Sequence, residues 1–369
     1  MSSLLPTEEE TMLADAARGF LDQAAPVSHL RGLRDNGRTH DPDLWAEMAR
    51  MGWAGILVPE EQGGSDMGHA AAGVLASELG KTLVSSPFLS SAVIAATALR
   101  QVSGTEDALG AIASGTSTYA LALDESSKFN PDATRMQARR DGNGYRLSGS
   151  KTFVVDGSQS DRLLVLAQSD DGPVLFDLPA DRGGVDRTAT AMIDSRDAAE
   201  ITFTDVEATG ADILGSVGEG LTLLRPALRA GQAALAAEMC GLAAGAFGMT
   251  TGYLKERKQF GVPIGHFQAL QHRAAHLWCE IEVTASAVAH AGRILDADPD
   301  NAHLAVSLAK ARSSQTATDA VIEGVQMHGG IGMTDAFDMG FFMKRARVAT
   351  EWLGDYSYHA ETIARLRGF

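Results

Sequence analysis

The stretch Arg257-Lys-Gln-Phe-Gly-Val-Pro-Ile-Gly-His-Phe-Gln268-Ala-Leu-Gln271-His272 gives the strongest indication of how this chain folds. Residues 232–256, which precede it, have the composition of a helix. That helix is predicted to end at the Phe260-Gly261 step, because glycine readily adopts backbone angles that are uncommon for other residues and Pro263 cannot continue a helix. Apolar residues recur every three or four positions from Phe267 onward, which predicts a second helix. The stretch therefore predicts a helical hairpin with polar groups at one end.

The polar groups of this hairpin suit an anionic ligand rich in heteroatoms, such as the pyrophosphate of a dinucleotide. Arg257 can bind an anion through two parallel hydrogen bonds, and the amides of Gln268 and Gln271 can donate and accept together. A second interpretation is that Arg257 pairs with a surface carboxylate and that both glutamines are solvated. The hairpin by itself leaves both interpretations open.

Composition and charge exclude several classes of function. The chain has 369 residues, of which 45% are hydrophobic, so it can bury a large core. Its 31 Lys and Arg against 47 Asp and Glu give a net charge of −16, which disfavours binding to nucleic acid or an anionic membrane. An anionic ligand would need a local basic cluster, and Lys255–Lys258 and Lys344–Arg347 are the candidates.

The N-terminus and the cysteines indicate a cytoplasmic protein without a disulfide. Residues 1–10 lack the basic start of a signal peptide, and no run of eighteen residues is continuously apolar. Cys240 and Cys279 each lie in an apolar helical context, which is typical of small core residues. The ten histidines show no metal-ligand spacing, so no metal is expected.

The pattern along the chain is helical, then β, then helical, which predicts an α+β protein. Helical periodicity runs through residues 8–23, 43–51 and 70–79. Short β-type runs follow at residues 118–123, 144–148, 152–155, 162–167, 173–178 and 199–203, with tight-turn pairs at Asp141-Gly142 and Asp171-Gly172. From Gly218 the pattern is helical again, and Ala233–Phe247 is small and apolar almost all round, as in a helix buried in a bundle or in an oligomer interface. The predicted boundaries are 1–115, 116–212 and 213–369.

Together with Gln326-Met-His-Gly-Gly-Ile-Gly332, the Arg257–His272 stretch resembles the acyl-CoA dehydrogenase family of flavoproteins. The resemblance implies an N-terminal helical domain, a middle β-barrel or sandwich and a C-terminal four-helix bundle, with FAD between the last two. It also implies an acyl-CoA substrate, a dimer or tetramer and electron-transfer flavoprotein as the electron acceptor.

The resemblance places the FAD contacts on particular residues of this chain. Arg257, Phe260 and Gln268 match positions that meet the pyrophosphate and adenine side, and Gln271 is a weaker match. From across a dimer, the dinucleotide would meet the loop formed by Gln326, Gly329 and Gly330. Glycine suits that loop, because a side chain would keep backbone N–H groups away from phosphate oxygens. The other interpretation of this loop is an ordinary glycine turn between helices.

The middle domain departs from the family pattern where it should cover the flavin ring and the thioester. The family has Thr-Glu-Pro after its first strand, and this chain has Leu123-Asp124-Glu125-Ser126. The family's aromatic-Ile-Thr strand is matched by Phe153-Val154-Val155. Phe153 is therefore expected to contact the ring, whereas the threonine hydroxyl is absent.

The catalytic base is the largest departure. Oxidation of an acyl thioester removes the α-proton with a carboxylate while the β-hydrogen leaves as hydride to flavin N5. Many family members place a Glu where this chain has Leu353, before Gly354-Asp355, and others place it where this chain has Gly231 and Gln232. None of these residues can take the proton.

The nearest acids are Glu238, Glu351 and Asp355, and each also has a structural explanation. Glu238 is expected to pair inside the helical bundle. Glu351 is expected to pair with Arg347, four residues earlier on a helix. Asp355 is expected to cap a turn.

The missing base leaves three hypotheses. In the first, the chain is a working homomeric flavin dehydrogenase, with a relocated base or with chemistry on a different substrate. In the second, it is the non-catalytic partner in a bacterial heteromer of the kind that acts on sterol side chains or other bulky acyl-CoA substrates. The ending Trp352–His359 resembles that second branch. A third hypothesis, flavin-dependent monooxygenation, would not need the base, but the sequence has no reductase or NAD-binding motif.

Overall fold

The computed structural model describes residues 5–369. The expectation about a signal peptide rests partly on residues 1–4, which lie outside the described part. The helices are α1 (Glu8–Ala24), α2 (Val27–Asp35), α3 (Pro42–Arg50), α4 (Gly68–Lys81), α5 (Ala96–Leu99), α6 (Glu106–Ala113), α7 (Gly220–Glu256), α8 (Gln268–Ala297), α9 (His303–His328), α10 (Met339–Glu351) and α11 (Tyr356–Arg367). The predicted N-terminal helices at residues 8–23, 43–51 and 70–79 correspond to α1, α3 and α4.

The strands are β1 (Tyr119–Ala122), β2 (Gln137–Asp141), β3 (Gly144–Val155), β4 (Arg162–Ser169), β5 (Gly172–Pro179), β6 (Val185–Ala189), β7 (Ala198–Ala208), β8 (Ile213–Leu214), β9 (Lys258–Gln259) and β10 (Val262–Pro263). The first eight form a mixed sheet in the order β6-β7-β3-β2-β4-β5-β8, with β1 parallel to β4. The apolar side of this sheet buries Leu147, Val165 and Phe176. The helical, β, helical order is the one predicted.

The β prediction was wrong in two respects, whereas its two tight turns were right. The two short runs predicted at 144–148 and 152–155 form one strand, β3, whose pairing with β7 is interrupted by register shifts. Strands β2 and β6 were missed, because β2 is almost entirely exposed and polar and β6 is a short, largely exposed edge strand, so neither shows apolar alternation. The turns predicted at Asp141-Gly142 and Asp171-Gly172 do connect β2 to β3 and β4 to β5.

The chain forms two compact units. One contains the residues up to Asp35 together with His69–Val84 and Gln232–Phe369, and the other contains Asn36–Gly68 and Ser85–Gly231. The changes between helix and strand lie near the predicted borders, since α6 ends at Ala113 and β8 ends at Leu214. The compact units divide the N-terminal segment differently, so the boundaries at 115 and 212 remain predictions.

Helix α7 crosses α4 at unusually close range. A Cβ added to Gly241 would lie 1.9 Å from the carbonyl oxygen of Ser77, and one added to Gly80 would lie 2.1 Å from that of Glu238. The small residues of α7 therefore serve close helix packing along this stretch. Helix α7 is long and apolar enough to cross a membrane by length and composition, yet 72% of its most apolar window is buried, as in the core helix of a soluble protein.

Both cysteines are free, but they differ in environment. Cys240 is buried on α7, as expected of a core residue. Cys279 is exposed, so its predicted core role was wrong. It lies on α8, whose surface also exposes Trp278 and Val283; apolar neighbours in sequence did not predict burial on this face.

Candidate flavin site and catalytic position

The segment after α7 is a small β-hairpin, which corrects the predicted direct passage from helix to helix. Helix α7 ends at Glu256, and β9 then pairs with β10 through Gln259 and Val262. The two residues of the turn, Phe260 and Gly261, have φ values of +53° and +82°. Positive φ at both positions matches the twist of a two-residue β-turn, which is why glycine occupies one of them. At Phe260 the same angle is uncommon for a residue with a side chain and is a feature of strained functional positions.

The side chains of this hairpin point to a partner outside the chain's own core. The Phe260 ring is 92% exposed, and its edge faces the ring of Phe267, with centroids 6.1 Å apart. Arg257 is exposed, and within residues 5–369 no carboxylate pairs with its guanidinium. The alternative in which Arg257 forms a surface ion pair is therefore not observed.

The two glutamines of α8 differ in their engagement. Gln268 is the first residue of α8 and is exposed. Gln271, one turn later, donates from Nε2 to the carbonyl oxygen of Gly265 over 2.9 Å. Gln271 therefore holds the turn before α8 and has only part of its amide left for a ligand, which agrees with its weaker match to the family pattern.

The loop after α9 leaves its glycine backbone open. The N–H of Gly329, at φ +66°, donates to the carbonyl of Gln326 and ends the helix. A Cβ added to Gly329 or Gly330 would meet nothing within 4 Å, whereas one added to Gly332 would lie 2.9 Å from His328 Cβ. Packing within the described chain therefore explains glycine at 332 but not at 330.

The two motifs that are predicted to contact FAD lie at the same end of their unit. Tyr253, in the last turn of α7, stacks in a tilted arrangement on His328, the last residue of α9, with ring centroids 4.5 Å apart. The backbone N–H of Arg257 donates to the carbonyl of Tyr253 over 2.9 Å. An exposed arginine, an exposed aromatic ring and an open glycine backbone near one another are groups that fit the phosphates and rings of a dinucleotide.

Phe153, the predicted contact to the flavin ring, lies in the other unit. It occupies the irregularity of β3 between Lys151 and Val154, with φ +51° and a half-buried ring. Such an angle is uncommon for an aromatic residue and raises the energy of the chain by about 1–3 kcal/mol. Its neighbour Lys151 is fully buried and donates to the carbonyl of Leu123 over 3.0 Å and to Glu125 over 2.7 Å.

Of the residues at which the resemblance leads us to expect a base, which are Gly231, Gln232 and Leu353, the last two contact each other. Both Gln232 and Leu353 are buried, and Gln232 Nε2 donates to the carbonyl oxygen of Leu353 over 3.1 Å. His359, also buried, approaches the same oxygen through Nε2 over 3.2 Å and serves as its second donor. Leu353 has φ +57°, which is uncommon for a residue with a side chain, and Gly354 has φ +102°. The hydrogen bonds to the Leu353 carbonyl help to hold the loop in this conformation.

Lys310, a fully buried residue that the sequence analysis missed, also holds the loop that contains Leu353. Lys310 Nζ donates to the carbonyl oxygens of Ala349, Thr350 and Gly354 over 3.1, 3.2 and 3.0 Å. Burial lowers the pKa of Lys310 to about 7, against the attraction of nearby carboxylates. Three carbonyl acceptors match the three N–H groups of the ammonium form. The only sequence signal was a lysine between two alanines in a helix, and lysine is usually exposed.

The three candidate acids have the structural contacts expected of them. Asp355 Oδ1 accepts from the backbone N–H of Tyr358 over 2.9 Å and caps α11. Glu351 pairs with Arg347 over 3.0 Å. Glu238 is buried and lies 3.6 Å from Arg345. The assignment of any of them as base remains a prediction, and each would have to leave a contact to serve. Within residues 5–369 no group of three or more His, Cys, Asp or Glu is arranged to hold a metal ion.

Comparison with known proteins places the chain in a class. The sequence profile described as "Acyl-CoA dehydrogenase, C-terminal domain" matches residues 218–366, and the one described as "Acyl-CoA dehydrogenase, N-terminal domain" matches residues 7–129. The chain belongs to the acyl-CoA dehydrogenase family of oxidoreductases, whose cofactor is FAD. The predicted family, fold and cofactor are confirmed.

The chain is similar to several bacterial members of this family. The chain is similar to the acyl-CoA dehydrogenase FadE12 of Mycobacterium tuberculosis, with 27% identity over 94% of this chain and 93% of that protein. Among solved structures it is similar to the ChsE4-ChsE5 complex from Mycobacterium tuberculosis, with 25% identity, a TM-score of 0.91 and 100% of both chains covered. It is also similar to a variant of the Tcur3481-Tcur3483 steroid ACAD, with 30% identity, a TM-score of 0.87 and 98% of both chains covered.

Proposed function

We propose that this chain is one subunit of a hetero-oligomeric acyl-CoA dehydrogenase, in which it contributes to the FAD site and a sister chain carries the catalytic base. The observation that carries the proposal is the 3.1 Å contact between Gln232 Nε2 and the carbonyl of Leu353. A proton-abstracting carboxylate must lie within hydrogen-bond reach of the α-carbon's proton. Here Leu353 occupies one expected position, and Gly231 and Gln232 occupy the other. None of them is a carboxylate, and Gln232 and Leu353 are buried against each other.

The contacts of the nearby acids support the proposal that a sister chain supplies the base. Asp355 caps a helix, Glu351 pairs with an arginine on its own helix, and Glu238 faces Arg345 inside the bundle. Freeing any of the three would remove a structural contact, and a buried carboxylate that loses its partner is expensive. A base supplied by another chain requires no such rearrangement.

The FAD-facing role rests on the groups left without partners. FAD, when bound, supplies the acceptor for the β-hydrogen of the acyl thioester. Arg257 would bind its pyrophosphate, with Phe260 and Gln268 beside the adenine. Gln326, Gly329 and Gly330 would meet the same dinucleotide from across a dimer, and Phe153 would lie against a flavin ring.

The finer assignments extend this proposal. Two of the similar solved structures are named as complexes of two different proteins, and one of them is named a steroid ACAD. We infer a bulky, steroid-like acyl-CoA as the substrate of the assembled enzyme, with electron-transfer flavoprotein as acceptor and the cytoplasm as its location.

The experiment compares the chain purified alone with the chain co-expressed with a family member encoded beside it. Native mass, FAD content and bleaching of the flavin by steroid-type and straight-chain acyl-CoAs are measured for both. We expect a hetero-oligomer that retains FAD and bleaches with a bulky acyl-CoA, while the chain alone does not bleach. A homo-oligomer that binds FAD and bleaches without a sister chain would contradict the proposal and indicate a relocated base.

A further inference from the structure

An unusual carboxyl lies next to the strained position of Phe153. Asp124 lies two residues after the end of β1, and its carbonyl accepts a hydrogen bond from the backbone N–H of Thr152 over 2.8 Å. Phe153 is the next residue along β3, so the Asp124 backbone is tied to the strand position predicted to meet the flavin ring. The segment 123–126 is also the one that, by resemblance, covers that ring.

Asp124 and its neighbour Glu125 have opposite environments. Glu125 accepts from Lys151 Nζ over 2.7 Å and from the backbone N–H groups of Arg135 and Met136 over 2.9 and 3.0 Å. Burial raises the pKa of Glu125, but these hydrogen bonds lower it below its ordinary value overall. Glu125 therefore fixes the buried ammonium and needs no further partner.

Asp124 lacks such partners. Its Oδ1 atom is buried and accepts or donates no hydrogen bond within residues 5–369. Burial raises the pKa of Asp124 to about 6, against the attraction of Lys151. Lys151 from β3 and Glu125 beside it are the charged groups at this position. A buried polar atom without a partner is costly and is rare in folded proteins unless a water or ligand completes it.

We propose that Asp124 hydrogen-bonds the heteroatom edge of the FAD isoalloxazine ring. That edge carries nitrogens and carbonyl oxygens, which need partners when they are buried. A neutral carboxyl can donate through its O–H group and accept through its carbonyl oxygen, so it can serve either kind of ring atom. In its ionised form the same group would place a negative charge beside the ring and oppose its reduction. Asp124 would thus bind the ring and make its reduction sensitive to pH. This inference rests on the proposed FAD site.

The test uses the FAD-loaded protein, as the chain alone or as the co-purified complex. Asp124→Asn keeps the shape but cannot ionise, and Asp124→Ala removes the group. Asp170→Asn, at an exposed position of the same unit, is the control. The dissociation constant of FAD, the visible spectrum and the reduction potential are measured between pH 5 and 8, with the melting temperature of each variant.

We expect Asp124→Ala to weaken FAD binding about three- to tenfold, the effect of one lost hydrogen bond. The reduction potential of the natural protein should fall more steeply with pH than that of Asp124→Asn, with the two closest at pH 5. Unchanged FAD affinity and unchanged potentials in both variants would overturn the inference, as would a lower melting temperature without any change in the flavin. Failure of the natural protein to bind FAD in either form would instead refute the proposed function.

Discussion

The end of α7, where we propose that FAD binds, and the buried contact between Gln232 and Leu353 lie in the same unit. Their polar groups have opposite environments. At the end of α7, Arg257 and Phe260 are exposed and the backbone of Gly330 is open. At the buried contact, the amide of Gln232 and the carbonyl of Leu353 satisfy each other. The chain thus leaves groups available where a cofactor would bind and closes the place where a base would act. Each prediction below breaks or sharpens that difference.

The largest expected effect concerns Lys310, which holds the loop that carries the buried Leu353 carbonyl. Lys310→Met keeps most of the side chain's volume but leaves the carbonyls of Ala349, Thr350 and Gly354 without their donor. Each buried acceptor that loses its partner costs about 1–3 kcal/mol, so we expect a loss of at least about 3 kcal/mol in the free energy of unfolding. Denaturant unfolding would measure it, with Lys344→Met on the neighbouring helix as the control. A change below about 1 kcal/mol would mean that the loop does not depend on Lys310.

The second prediction concerns Arg257, which is exposed at the end of α7. Arg257→Ala should weaken FAD binding about ten- to a hundredfold, because a hydrogen-bonded charge is removed from a phosphate. Arg257→Lys should recover only part of the affinity, since an ammonium cannot form two parallel hydrogen bonds.

Flavin fluorescence titration of the purified variants would give these constants. Arg365→Ala, which removes an exposed arginine paired with Glu361, controls for the loss of one positive charge. Equal FAD affinity in Arg257→Ala and Arg365→Ala would remove the arginine from the site.

The third prediction uses His359, the second donor to the Leu353 carbonyl. Burial lowers the pKa of His359 to about 3, so the folded chain holds it neutral while the unfolded chain protonates it near 6.5. The unfolded state then binds more protons between these values, and stability falls as the pH drops below about 6.5, by at most about 1.4 kcal/mol per pH unit. His359→Gln keeps an N–H donor and does not titrate. Its free energy of unfolding should depend less on pH between 6.5 and 4, and an identical slope in both proteins would contradict the assignment.

The fourth prediction separates two glycines of one loop. A Cβ at position 332 would meet His328 Cβ at 2.9 Å and the carbonyl oxygen of Val325 at 3.0 Å, whereas one at position 330 meets nothing. Gly332→Ala should therefore lower the stability of the chain by about 1 kcal/mol. Gly330→Ala should leave the melting temperature unchanged and reduce FAD retention in the assembled protein. If both variants affected only stability, the open loop would be an ordinary turn.

The sequence predicted the order of the helices and strands better than the contacts between residues that are distant along the chain. Helix α8 begins at Gln268, as the periodicity from Phe267 predicted. The β-hairpin before it was missed, because strands of two residues carry no alternation. The contact between Gln232 and Leu353 joins residues 121 positions apart, and local pattern contains no information about such pairs. Lys310 was missed for a related reason, since nothing in its neighbours in sequence indicates complete burial.

The smallest expected effect tests whether Glu238, Glu351 or Asp355 acts as the catalytic base. If a sister chain carries the base, then Glu238→Gln, Glu351→Gln and Asp355→Asn, made one at a time in the assembled enzyme, should leave the rate of flavin bleaching by acyl-CoA within about twofold, because none of the three would take the proton. Stopped-flow measurement at saturating substrate isolates that step from binding.

Glu238→Gln should also reduce stability, since it leaves Arg345 buried with a weaker partner. This loss of stability shows that the substitution changed the contact. A loss of about a hundredfold or more in one variant would identify that residue as the base, because general-base catalysis contributes about that much or more. The chain would then be catalytic in its own right, and the closed contact between Gln232 and Leu353 would have no bearing on where the proton goes.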